Sequence, residues 1–118
     1  MLLFIRNEES ILDDEARGAQ YAAIDEWFAT IDRDGKLRGG EELQPSNTAT
    51  TIRFQEGRPF VTDGPFMESK ENVAGFVTID VADLDEAIAI AKQWPPTDQA
   101  VEIRPVVSHE DMPHHPVG

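Results

Sequence analysis

The sequence predicts an α+β sandwich, two helices lying on one face of a mainly antiparallel sheet. An apolar opening reads as a strand, two well-separated stretches carry helical periodicity, and short β-branched segments fill the space between and after them. A helix must bury one stripe and a sheet one face. The order strand, helix, several strands, helix, strand therefore selects the ferredoxin-like two-layer arrangement, βαββ…βαβ.

Each element has its own justification. Leu2 to Arg6 is the first strand. Over residues 14 to 31, Ala16, Ala19, Ala23, Trp27 and Ile31 share one helical face, which Ile24 and Phe28 widen. Asp13 and Asp14 suit the positive N-terminal end of that helix, and Asp34-Gly35 closes it. A strand follows from Leu37 to Leu43, and Gly39-Gly40 within it predicts a bulge or a close backbone approach. Glu56-Gly57 has the spacing of a two-residue hairpin turn between 48–55 and 58–63. That register sets Ile52 opposite Val61 and Thr50 opposite Asp63, on a face expected to be covered. Residues 74–81 are apolar at most positions, as a central strand is. Asp83 and Glu86 form a capping-box variant that opens a second helix, whose stripe is Leu84, Ala87, Ile88 and Ala91. Pro95-Pro96 stop that helix, and 101–107 forms a last strand in which Pro105 marks an edge position or the strand's end.

Composition narrows the function classes. The 118 residues fit one domain, set at 1–107, with a flexible tail at 108–118. A net charge of −13 would repel a phosphate backbone, so direct nucleic-acid binding is not expected. No apolar run approaches the ~20 residues of a membrane helix, and the start lacks the flank and cleavage site of a signal peptide, so a cytoplasmic protein is expected. The absence of cysteine removes disulfides, thiolate nucleophiles and thiolate metal sites.

The segments GGEEL at 39–43, TATTIRF at 48–54, VTDGPFMESKE at 61–71, GF at 75–76, DLDEA at 83–87 and VEIRPV at 101–106 occur in that order. Together they resemble the YCII-related proteins of the DGPF-domain type, over about residues 1–107. The resemblance implies a dimeric ferredoxin-like α/β barrel. It also implies a link to transcription initiation through protein partners for the DGPF type. Other YCII-related proteins resemble small lyases and isomerases that act on ring-derived acids through a His–Asp pair. No histidine precedes His109 in this chain, so that pair does not carry over.

The candidate chemistry centres on the stretch after the hairpin. Asp63 has two readings: a turn residue bonding its own loop, or a general base at a pocket mouth. Lys70 and Arg53 are candidates to hold a small anion, Phe66 to pack the loop, and Glu68 or Glu71 to share a proton. Arg104 reads as an edge-strand charge and Glu41 and Glu42 as solvent-facing carboxylates beside a bulge. His109, His114 and His115 lie in a proline-containing tail, so no metal site is expected, and no motif calls for a cofactor. Apolar residues on the second sheet face need cover, which a homodimer packed through that face would give. The functional reading is a small-molecule-binding protein or small lyase/isomerase-type enzyme with its pocket near the TDGPF loop. The alternative is a non-catalytic regulatory or interaction module.

Overall fold

The computed structural model describes residues 1–8 and 13–108. In chain order the elements are β1 (Leu2–Asn7), α1 (Asp14–Arg33), β2 (Leu37–Glu42), β3 (Thr50–Gln55), β4 (Arg58–Asp63), β5 (Glu71–Ile79), α2 (Leu84–Ala91) and β6 (Ala100–Ile103). Four strands form one sheet in the order β2-β5-β1-β6, while β3 and β4 pair only with each other. Every pairing is antiparallel. The two βαβ units interleave, β5 filling the gap between β1 and β2 and β1 filling that between β5 and β6. This split βαβ order is consistent with a ferredoxin-like sandwich. Within one chain the sheet is open rather than closed into a barrel.

Leu2, Phe4 and Val77 from the central strands bury against Trp27 and Ile31 of α1, with Ile90 and Ala91 of α2 packed alongside. An aromatic cluster dominates this core. The Phe4 ring stacks on Trp94 at 3.9 Å, and Trp27 meets Phe4 and Trp94 edge-on at 5.9 and 4.9 Å. Trp27 Nε1 donates to the Ile90 carbonyl at 3.2 Å, which satisfies its one polar atom inside the core. Both helix starts are capped as expected: the Asp13 carboxylate accepts from the Ala16 amide at 2.7 Å, and Asp83 from Glu86 at 2.9 Å.

The helical stripes differ from the sequence expectation at one end each. Ala16, Ala19 and Ala23 are exposed, and only the second half of α1 reaches the core. A helix of 20 residues is about 30 Å long and a strand of six about 20 Å, so the first turns overhang the sheet. In α2 the stripe runs through Ala87, Ile90 and Ala91, and Leu84 is exposed. The short helix aligns with Trp94, one turn beyond Ile90, and that leaves its first residue outside the contact.

The Gly39-Gly40 irregularity is present. The β2–β5 register shifts between Leu37 and Gly39, and Gly39 has φ 133°. A Cβ on Gly40 would strike the Phe76 carbonyl oxygen, and one on Gly75 would come within 2.8 Å of the Glu41 carbonyl. The two strands approach too closely there for side chains. β6 pairs with β1 alone and stops at Ile103, so it is an edge strand ending before Pro105.

The hairpin has the expected register, Ile52 opposite Val61 and Thr50 opposite Asp63. Its turn has positive φ at both Glu56 (51°) and Gly57 (77°), the signature of a type I′ turn. The expected cover is absent in the single chain. Ile52 is 55% exposed, Val61 65% and Phe54 71%. Period-two alternation reveals which face is apolar but not what lies over it. The hairpin stands off the sandwich as an arm.

Candidate functional site

Between α1 and the sheet lies a cleft made of two connected cavities. The inner lobe, about 350 Å³, is lined by Phe4, Ile24, Phe28, Phe76 and Trp94. The outer lobe, about 540 Å³, has Glu8, Arg17, Leu43, Pro45 and Asp98 in its wall. Arg6, Gln20, Tyr21, Glu42 and Gln99 line both and form a polar neck between them. Local structure explains the convergence. Tyr21, Ile24 and Phe28 follow one another at spacings of three and four along α1, so they share a flank beside the Trp27–Ile31 stripe. Alternation along β1 puts Arg6 on the helix side with Leu2 and Phe4. Gly40 and Gly75 lie in the floor of the inner lobe, where the lack of side chains lets β2 and β5 approach closely.

Hydrogen bonds fix how the neck presents its groups. The Tyr21 hydroxyl donates to Glu42 Oε1 at 2.8 Å. That bond raises the phenol pKa above its ordinary value, helped by burial and by the Glu42 charge and opposed by Arg6 and Arg17. Trp94 Nε1 donates to Gln99 Oε1 at 3.2 Å, which leaves the Gln99 NH₂ as the group facing other partners. The Glu8 carboxylate accepts from the Ser46 hydroxyl at 2.5 Å and the Ser46 amide at 2.8 Å. Those two bonds hold its pKa below the usual carboxylate range against a smaller opposing effect of burial, and Arg6 adds to the lowering. Among the described residues, the guanidinium groups of Arg6 and Arg17 make no hydrogen bond or ion pair. In a chain of net charge −13, two arginines left open beside one cleft are available to a ligand. Among the described residues no cluster of His, Asp and Glu is arranged to hold a metal ion.

The sequence matches the YCII-related domain over residues 1–110. The chain belongs to the YCII-related family. A protein of Rhizobium meliloti (strain 1021), Uncharacterized protein R00369, is 39% identical over 79 residues, a stretch that covers 64% of each chain. The chain thus spans less than two thirds of that relative's length.

The residues of this YCII-related chain singled out by sequence fall elsewhere than the cleft. Asp63, Arg53, Phe66, Glu68 and Lys70 line neither of its lobes. Arg53 and Phe66 are brought together: Arg53 Nη2 donates to the Phe66 carbonyl at 2.9 Å, and its guanidinium sits 4.3 Å over the Phe66 ring. Asp63 and Glu68 are exposed, and among the described residues neither carboxylate makes a hydrogen bond or ion pair. Lys70 is exposed, and its carbonyl accepts from the Glu8 amide at 2.8 Å. The loop is held by Gly64, which has φ 104°, donates to the Ala49 carbonyl at 2.8 Å and accepts from Thr51 Oγ1 at 2.7 Å. The motif glycine is thus explained by backbone conformation. Arg104 forms an exposed pair with Glu102 at 3.3 Å. His109, His114 and His115 lie outside the described residues, as does most of the tail expected at 108–118.

Sequence reading missed Arg6, Gln20, Tyr21, Trp94 and Gln99; Glu42 is exposed as expected, and what was missed is its bond to Tyr21. One signal was available. Tyr21, the single tyrosine of the chain, extends with Ile24 and Phe28 the edge of the apolar face of α1, beside the Trp27–Ile31 stripe.

Proposed function

We propose that this YCII-related protein binds a small organic molecule in the cleft between α1 and the sheet. The observation that carries the reading is the join of an aromatic lobe to a polar neck, a concave site of the size and mixed lining that small ligands occupy. The apolar body of the ligand lies against Phe4, Ile24, Phe28 and Trp94, and its polar head meets Arg6, Tyr21, Glu42 and Gln99. The pocket expected near the TDGPF loop is replaced in this reading by the cleft under α1, which that loop does not line. The test is a thermal-shift screen of small aromatic and alicyclic compounds against the native chain and Ile24→Trp, whose larger ring fills the inner lobe. Hits should raise the Tm of the native chain and leave that of the variant unchanged, since only a ligand bound to the folded state stabilises it. Equal shifts in both proteins would overturn the assignment.

The reading extends to assembly. Leu3, Ile5 and Phe76 alternate with the core-facing residues of β1 and β5 and so lie on the sheet face away from the helices, with Val73 exposed beside them. Two chains packed through that face, as a dimeric α/β barrel, would cover this surface. Sedimentation equilibrium should return twice the chain mass; a monomer at all concentrations would contradict it. The interaction-module alternative draws on the uncovered arm, whose Ile52, Phe54, Phe60 and Val61 offer apolar contacts to another protein.

A further inference from the structure

We infer that the ligand of the cleft is a small zwitterion with a planar apolar body, of which an aromatic α-amino acid is the simplest case. The inference rests on the binding reading above and names the chemistry of its head group. The polar neck is electrically mixed. Arg6 is its cation, Glu42 its anion, and Gln20, Tyr21 and Gln99 complete it.

The hydrogen bonds already made decide what each group can still offer. Gln99 Oε1 is committed to Trp94, so Gln99 offers N–H donors beside the Arg6 guanidinium, which has no side-chain partner among the described residues. That pair of donors suits a carboxylate. The Tyr21 proton is committed to Glu42 Oε1, so the phenol oxygen offers lone pairs and Glu42 keeps its second oxygen. That pair of acceptors suits an ammonium group. Arg6, Arg17 and Glu42 all act electrostatically on the Tyr21 hydroxyl, which places both signs of charge around one point of the neck.

A plain carboxylate at this point would meet Arg6 but also face Glu42. A plain amine would satisfy Glu42 and face Arg6. Either would leave one charge unanswered in a partly desolvated site, which is unfavourable. A head carrying both groups answers both. The flat lobe behind the neck, built on the stacked Phe4–Trp94 pair, fits a ring at the other end of the molecule.

The experiment is titration calorimetry of the full chain with phenylalanine, 3-phenylpropanoate and phenethylamine, which share the ring and differ in the head. Phenylalanine should bind at least tenfold more tightly than either single-charge analogue. Arg6→Gln should reduce the phenylalanine affinity while raising that for phenethylamine, and Glu42→Gln should reduce it while raising that for phenylpropanoate, because each removes the charge that the analogue leaves unanswered. If one analogue matches phenylalanine, the zwitterion inference fails and the binding site stands. If none of the three binds while compounds from the thermal-shift screen do, it fails in the same way. If no compound binds the native chain better than Ile24→Trp, the binding reading itself fails.

Discussion

The cleft under α1 and the arm formed by β3 and β4 make opposite use of aromatic residues. In the cleft Phe4, Phe28 and Trp94 are at least half-buried, touch one another or the core, and end in a hydrogen-bonded polar neck. In the arm Phe54 and Phe60 are exposed, as is Phe66 in the loop that follows, and the Gly64–Ala49 bond only extends the arm's own ladder by one pair. A two-stranded hairpin is only marginally stable in water, so the arm depends on its turn and on whatever covers it. The recognisable motif lies beside the arm, and the space for a ligand lies in the cleft. A conspicuous sequence motif and a concave site need not coincide.

The largest expected effect separates the two regions by stability. Phe4→Ala should destabilise the fold by about 3–5 kcal/mol, the range for emptying a buried aromatic position. Phe54→Ser on the arm should change the stability of the single chain by about 0.5 kcal/mol or less. Denaturant unfolding followed by tryptophan fluorescence measures both, because both tryptophans lie in the core cluster. Comparable losses would abolish the contrast. A smaller loss is expected from Gly40→Ala. Its methyl group would press on the Phe76 carbonyl and separate β2 from β5, at a cost of about 1–3 kcal/mol.

The neck can be read by pH. With one tyrosine in the chain, absorbance near 295 nm reports Tyr21 alone. Its ionisation should lie above the ordinary phenol value and move down toward it in Glu42→Gln, which removes the carboxylate charge beside the phenol. Since the folded-state pKa is raised, the associated stability is fully present below the unfolded pKa and is lost as pH rises through the folded one. An unchanged titration in the variant would show that the Tyr21–Glu42 bond does not form in solution.

The smallest effect concerns Glu8, whose pKa is lowered by Ser46. Ser46→Ala should cost roughly 0.5–1.5 kcal/mol at neutral pH, the usual net contribution of a hydrogen bond. For a depressed carboxylate the stability is present above the unfolded pKa and lost as pH falls through the folded one. The difference between native chain and variant should therefore narrow as the solution is acidified below the ordinary glutamate range. A gap independent of pH would mean that Ser46 acts through packing.

Much of the fold was legible because the signals were local. Asp13 and Asp83 announced their helices, Glu56-Gly57 fixed the hairpin register, and Gly39-Gly40 marked the close approach of β2 to β5. The cleft was not legible, because its neck joins Arg6, Tyr21, Glu42 and Gln99 from four separate segments, none unusual in its own surroundings. Glu42 illustrates the point: beside a bulge it reads as a solvent carboxylate, and only the pairing of β2 with β5 brings it under Tyr21. Asp63 illustrates the converse. Its register was read correctly, yet burial of its face depends on contacts beyond the hairpin, which period-two alternation does not encode.

The most direct test of where ligand chemistry resides is a crystallographic fragment screen of the full chain. The account predicts that bound fragments gather between Phe4, Ile24, Phe28 and Trp94, with polar ends at Arg6 and Glu42. Fragments gathered instead around Asp63, Glu68 and Lys70, with the cleft empty, would contradict it and return the site to the TDGPF loop.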